Sequence, residues 1–210
     1  MDRIEKLREK ALISEGWDPA EFFCLFYKEY VRLSAETEAE RYSESFYYAF
    51  ENMTPNIDYG ELIVGKCAVN LDEKLKSEWD ETYKSVASTF SQKAGRGQDS
   101  HMAIDYDLLL DKGIVGILSD IEKLSENCDT EKLTFYNTCK TCLKAVVRLS
   151  EKYSETALEM SRHTDDIKTK NELEKVSEIC RKVPLYPAWI IEKAGEFQKT
   201  VRVFPISEVL

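Results

Sequence analysis

Between Asp129 and Met160 the apolar residues recur at steps of three and four: Phe135, Tyr136, Cys139, Cys142, Leu143, Val146, Tyr153, Ala157 and Met160. That period belongs to one face of an α-helix. A helix of this length, starting at Asp129 or Thr130, needs other helices against its stripe, because tertiary packing holds a helix more than propensity does. The rest of the chain supplies them. Ile4, Leu7 and Ala11 mark a short first helix ended near Gly16. Asp18-Pro19 is a start signal, with the cap ahead of Pro at the first helical position. The segment after it sets Phe22, Phe23, Phe26, Tyr27, Tyr30 and Leu33 on one face. Ser34 or Thr37 can cap a third helix with the stripe Ala39, Tyr42, Phe46, Ala49, Phe50 and Met53.

Breakers divide these stripes. Thr54-Pro55-Asn56 ends the third helix, and Asp58-Tyr59-Gly60 reads as a turn. Glu61-Leu62-Ile63-Val64-Gly65 is the one strand-like run before the C-terminal tail. Leu71 to Phe90 reads as a less regular helix, and Ala94-Gly95-Arg96-Gly97 breaks the chain again. From Asp105 a further helix carries Tyr106, Leu109, Leu110, Ile114, Ile117, Leu118, Ile121 and Leu124. Gly113 and Gly116 within it each cost up to about 1 kcal/mol relative to Ala. They imply either a second backbone in close approach or a break between two shorter helices. Leu173, Val176, Ile179, Cys180 and Val183 mark another helix, closed by Pro184, and Pro187 opens a last helical stretch. The expected class is mainly α, with at most one or two short strands.

With a formal charge of −10 and a pI near 4.9, the surface repels phosphate backbones, which excludes nucleic-acid binding as the main task. Met1 to Lys10 lacks the apolar core of a signal peptide. No apolar run approaches the roughly 20 residues a membrane span needs. A cytoplasmic protein is expected, its six cysteines reduced.

Few constellations carry chemistry. Cys139-x-x-Cys142 has no second pair to complete a zinc site and no strand before it, so it reads as two small apolar residues on a helix face. His163, near the end of the longest helix, suits the helix dipole as a surface cation. His101 differs, since it lies in the polar loop Gly97-Gln98-Asp99-Ser100-His101 with Asp99 and Asp105 on either side to orient its ring. Either that loop presents His101 to a ligand, or Asp99 or Ser100 caps the next helix and His101 faces water. Phosphate-loop, dinucleotide, serine-hydrolase and zinc-protease motifs are all missing. No metal ligand set is expected.

Four segments, in order, resemble the N-terminal region of glycyl radical enzymes, the pyruvate formate-lyase-like family. They are Glu40-Arg41-Tyr42-Ser43-Glu44-Ser45, Ile57 through Gly65, Asp99-Ser100-His101-Met102-Ala103-Ile104-Asp105-Tyr106 on through Gly113-Ile114-Val115-Gly116-Ile117, and Val183-Pro184-Leu185-Tyr186-Pro187-Ala188. The resemblance leans to the lyase, dehydratase and decarboxylase branches more than to the formate acetyltransferase. It implies anaerobic metabolism, a small-molecule substrate and a ten-stranded α/β barrel. A glycyl radical there passes its spin to a loop cysteine, and an S-adenosylmethionine iron–sulfur activating enzyme installs that radical.

The pattern departs from the family where the chemistry lies. No cysteine here follows a glycine, precedes a glutamate by two positions or adjoins another cysteine. No glycine occurs after Gly195. The expectation is therefore a truncated N-terminal portion, inactive alone, with no catalytic residue and no cofactor of its own. Its partners would be the remainder of such an enzyme and, through it, the activating enzyme. The resemblance implies a substrate-hydroxyl contact for His101, with Asp105 beside it. Residues 1–188 form the helical part, and 189–210 a divergent tail. The alternative is a free-standing helical interaction module with Phe22, Phe23, Tyr47 and Tyr48 as its partner surface.

Overall fold

A computed structural model describes residues 2–13, 20–34, 36–65, 77–78, 81 and 104–188. Six helices order the described chain: α1 (Arg3–Ile13), α2 (Ala20–Arg32), α3 (Glu38–Asn52), α4 (Tyr106–Ser125), α5 (Thr130–Arg162) and α6 (Ile167–Lys182). No strand occurs among the described residues, in keeping with the mainly α expectation. Glu61–Gly65, read as extended, instead forms bends and irregular backbone. The turn before it is local: Glu61 N–H donates to the Asp58 carbonyl at 3.0 Å, and Asp58 N–H to Glu61 Oε2 at 2.8 Å. Leu71 to Phe90 falls largely outside the described residues, and the tail 189–210 wholly so.

Helix starts follow their capping residues. Thr37 rather than Ser34 caps α3, through a capping box in which Thr37 Oγ1 accepts Glu40 N–H and Glu40 Oε2 accepts Thr37 N–H. Asp129 caps α5 by accepting Lys132 N–H at 2.9 Å, and Asp166 caps α6 by accepting Thr169 N–H at 2.8 Å.

Helix α5 is the spine. It packs against α3 and α6 and along α4, while α2 packs on α3. Aromatic rings join α2 to α3: Phe22 meets Phe46 and Phe50 edge-on, and Phe26, beside Phe22, meets Tyr42; the four phenylalanines are buried, with the Phe46 and Phe50 rings 4.4 Å apart. Such aromatic clusters carry much of a core's burial energy. The Arg41 guanidinium lies 3.8 Å from the centre of the Tyr30 ring and donates to the Tyr30 carbonyl at 2.9 Å. Burial, with the Tyr30 hydroxyl bonded to Glu38, pushes the Tyr30 phenol up to about 12.

Two stripes sit differently from the sequence expectation. On α2 the buried arc also takes Cys24 and Leu25, while Phe23 and Tyr27 are half-buried. On α5 the stripe was expected to be buried from Phe135 onward, but Phe135 is 61% exposed and burial begins only at Ala145. The proposed partner surface is corrected too. Phe22 is core, and Phe23, Tyr47 and Tyr48 pack against that core.

Candidate functional site

His101 and the loop from Gly97 lie outside the described residues. Asp105 is described, and it is exposed. Its carboxylate accepts Leu108 N–H at 2.9 Å, which makes it the N-cap of α4. The cap fixes the point at which the helix begins.

Helix α4 is not one straight rod. Gly113 breaks it, with φ +61° and ψ 173°. A left-handed φ there favours glycine. Beyond the break, Ile114 and Val115 have lost their intrahelical acceptors, as at any helix start. A strap leaving α6 supplies new ones. Ile114 N–H donates to the Pro184 carbonyl and Val115 N–H to the Leu185 carbonyl, both at 3.0 Å. Ala188 N–H returns a bond to the Leu110 carbonyl at 2.9 Å. A Cβ on Gly113 would lie 2.5 Å from the Tyr186 carbonyl carbon and 2.6 Å from the Leu185 oxygen. Both sequence implications of this glycine are met at once: a break, and a second backbone against it. Gly116 instead continues the helix. The strap contains a cis Val183–Pro184 bond. Together these bonds hold the strap of residues 183–188 against α4 on both sides of its break.

The other candidates resolve structurally. Cys139 and Cys142 are half-buried on α5. Burial pushes both thiols up, Cys142 to about 11 with Cys139 and Glu44 adding to the effect. Thiols so raised are poor nucleophiles at neutral pH. Among the described residues no group of three His, Cys, Asp or Glu side chains can hold a metal. His163 is the exposed C-cap of α5, its N–H donating to the Met160 carbonyl and its Nδ1 2.9 Å from the Glu159 carbonyl. That places it on the surface at the end of the longest helix, where its sequence position had it.

Sequence reading missed one polar node. Glu21, in the first turn of α2, is 3% exposed. Its Oε1 accepts the Thr54 N–H at 3.1 Å and the Thr54 hydroxyl at 2.8 Å. From α5, Lys152 donates to the Glu51 and Met53 carbonyls at the end of α3. An acid in a first turn reads as a surface dipole partner, so no sequence signal marks it as buried.

The comparisons with known proteins bear on this fold. A family model described as pyruvate formate lyase-like matches residues 69–194, more than half of the chain. No curated protein sequence matches. Among solved structures, one on 1,2-propanediol dehydration in Roseburia inulinivorans superposes with a TM-score of 0.75 at 17% identity, covering 92% of this chain and 31% of that one. The glycerol-bound B12-independent glycerol dehydratase of Clostridium butyricum gives 0.74 at 17% identity over 90% of this chain and 32% of its own. A glycyl radical enzyme from Archaeoglobus fulgidus gives 0.67 at 21% identity over 92% and 34%. The fold is thus shared with a part of each of these larger proteins. The chain belongs to the pyruvate formate lyase-like family, and it spans about a third of the length of the solved structures it resembles.

Proposed function

We propose that this chain is the N-terminal helical part of a glycyl radical lyase or dehydratase, inactive alone, forming part of the wall around the barrel and one edge of the substrate pocket. The family match over residues 69–194, which spans the histidine loop, α4, α5, α6 and the strap, carries this reading. Two of the similar structures are described by the dehydration of small polyols, which supports a dehydratase branch over the formate acetyltransferase. His101 contacts a substrate hydroxyl from its loop, and Asp105 holds the start of α4 beside it. The radical chemistry belongs to cysteine and glycine loops that this sequence does not contain. They would come from a polypeptide continuous with this one or separate from it. An S-adenosylmethionine-dependent activating enzyme would install the radical on that polypeptide, and the whole would work in the cytoplasm.

The test is to measure the mass of the native protein in its host and read the genome onward from the Leu210 codon. The expected result is a sequence with both loops, in frame or in a neighbouring gene. If neither is encoded there, the proposal fails. With both parts reconstituted, His101→Ala should lower kcat/KM for the polyol on the order of tenfold, the effect of losing one hydrogen bond of roughly 1.4 kcal/mol. With the chain alone it should change no chemistry.

A further inference from the structure

The Glu21 node leaves one polar atom unexplained. Oε2 of this buried carboxylate has no hydrogen-bond partner, whereas Oε1 takes both donors of Thr54. The geometry around it is unusual. Thr54 N–H and the Met53 carbonyl are the two ends of a single peptide unit. Glu21 from α2 holds the N–H end, and Lys152 from α5 holds the carbonyl end. One peptide group just past the end of α3 is therefore gripped by opposite charges from two other helices. A buried polar atom left unmatched costs on the order of 1–3 kcal/mol. Native folds nearly always satisfy such atoms with protein or with ordered water.

Charge decides what can satisfy this one. Lys152 already places an ammonium on the adjacent carbonyls of Glu51 and Met53, and Arg148 lies within the same electrostatic neighbourhood. A metal ion at Oε2 would meet like charge from Lys152, whose ammonium already interacts with the Glu21 carboxylate. A neutral donor meets no such repulsion. We infer that Glu21 Oε2 is the anchor of a buried water site, which a single water molecule occupies to complete the node that joins α2, α3 and α5. The node then has every polar atom engaged while its charges stay opposed across one peptide.

A crystal structure of the full chain at a resolution that shows ordered solvent tests this. The expected result is an oxygen-weight peak about 2.8 Å from Glu21 Oε2, with at least one further polar partner. A protein donor seated directly on Oε2, or no peak there, overturns the site. A second measurement separates water from a cation. Melting temperatures at equal ionic strength in sodium, potassium and choline chloride should coincide. A cation-specific rise that Glu21→Gln abolishes would identify a metal ion instead and overturn the inference.

Discussion

Residues 130–144 and 145–162 of α5 share one apolar period, yet every buried position of this helix lies at Ala145 or beyond. The C-terminal part is gripped from two sides. Its small residues Ala145, Ser150, Ser154, Ala157 and Ser161 let neighbouring helices approach closely, and Ser150 and Ser154 bond to α6 and the strap directly. Ser150 Oγ lies within hydrogen-bond distance of the Cys180 and Val183 carbonyls, and Ser154 Oγ donates to the Ser177 carbonyl at 2.8 Å. Arg148 reaches Glu51 of α3 at 2.8 Å. The N-terminal part meets α4 more loosely. There Lys140 stands 4.0 Å from Glu122, and Leu133 and Phe135 remain 40% and 61% exposed. Periodicity thus tells which face of a helix is apolar. How much of that face is covered depends on which partners are present.

Paired truncations would break this contrast most directly. Tyr153 is 1% exposed, and its hydroxyl accepts Asn56 N–H at 3.4 Å. Tyr153→Ala should cost about 3–5 kcal/mol, as for other large aromatic deletions from a core. Phe135→Ala should stay within about 0.5 kcal/mol. Urea denaturation of both variants measures the difference. Equal losses would mean that the first part of α5 is covered after all.

The kink in α4 is the next largest effect. It lies where α4 gives Ile114 to the core before running alongside the exposed part of α5. Gly113→Ala would force an L-residue to φ +61° and push its Cβ against the strap backbone. A cost of roughly 2–3 kcal/mol follows from strain of this kind. Hydrogen exchange at Ile114 and Val115 should accelerate, since their amides depend on the strap carbonyls. Unchanged exchange there would show that the strap does not hold the kink.

Sequence alone revealed these features unevenly, for physical reasons. Thr37 and Asp129 were readable because a cap is a local pattern with a fixed offset. Gly113 was half readable: a costly glycine in an apolar helix announces close contact, but not which backbone arrives. The apolar run at Glu61–Gly65 resembled a strand because strand propensity does not say whether a neighbouring edge exists. Glu21 was unreadable, since the groups it interacts with, Thr54 and Lys152, are distant in sequence. Asp105 caps α4 through the same kind of local bond as Thr37 and Asp129 make, to Leu108 N–H. The family was readable from ordered short motifs, which record ancestry rather than packing.

A smaller effect sharpens the comparison at the α5–α6 contact. Ser150 has one hydroxyl proton facing two carbonyls, and Ser150→Ala leaves both without it. The expected loss is about 1–2 kcal/mol. Thr134→Ala, in the exposed part of the same helix, should change stability by only a few tenths, because its hydroxyl bonds its own helix at the Thr130 carbonyl. Chemical denaturation of the two single variants decides the matter. A Thr134 effect as large as that of Ser150 would contradict it.

The smallest expected effect concerns Lys152, a half-buried charge of the C-terminal part. Burial holds its ammonium below the ordinary lysine value of 10.5; Arg148 adds to this, while Glu51, Glu21 and Glu155 oppose it. As pH climbs toward that value, the folded chain releases this proton before the unfolded chain does. The unfolded state then binds more protons, so this residue's contribution to stability rises with pH through that window. Raised groups such as Tyr30 and Tyr42 act in the opposite sense, because the folded state keeps their protons longer. The difference between the unaltered chain and Lys152→Met isolates the lysine. That difference should shift in favour of the unaltered chain as pH rises from neutrality toward 10.5, when urea midpoints are followed across the range. A difference that stays flat or shrinks would mean that Lys152 is as well solvated as the exposed Lys132 at the other end of α5.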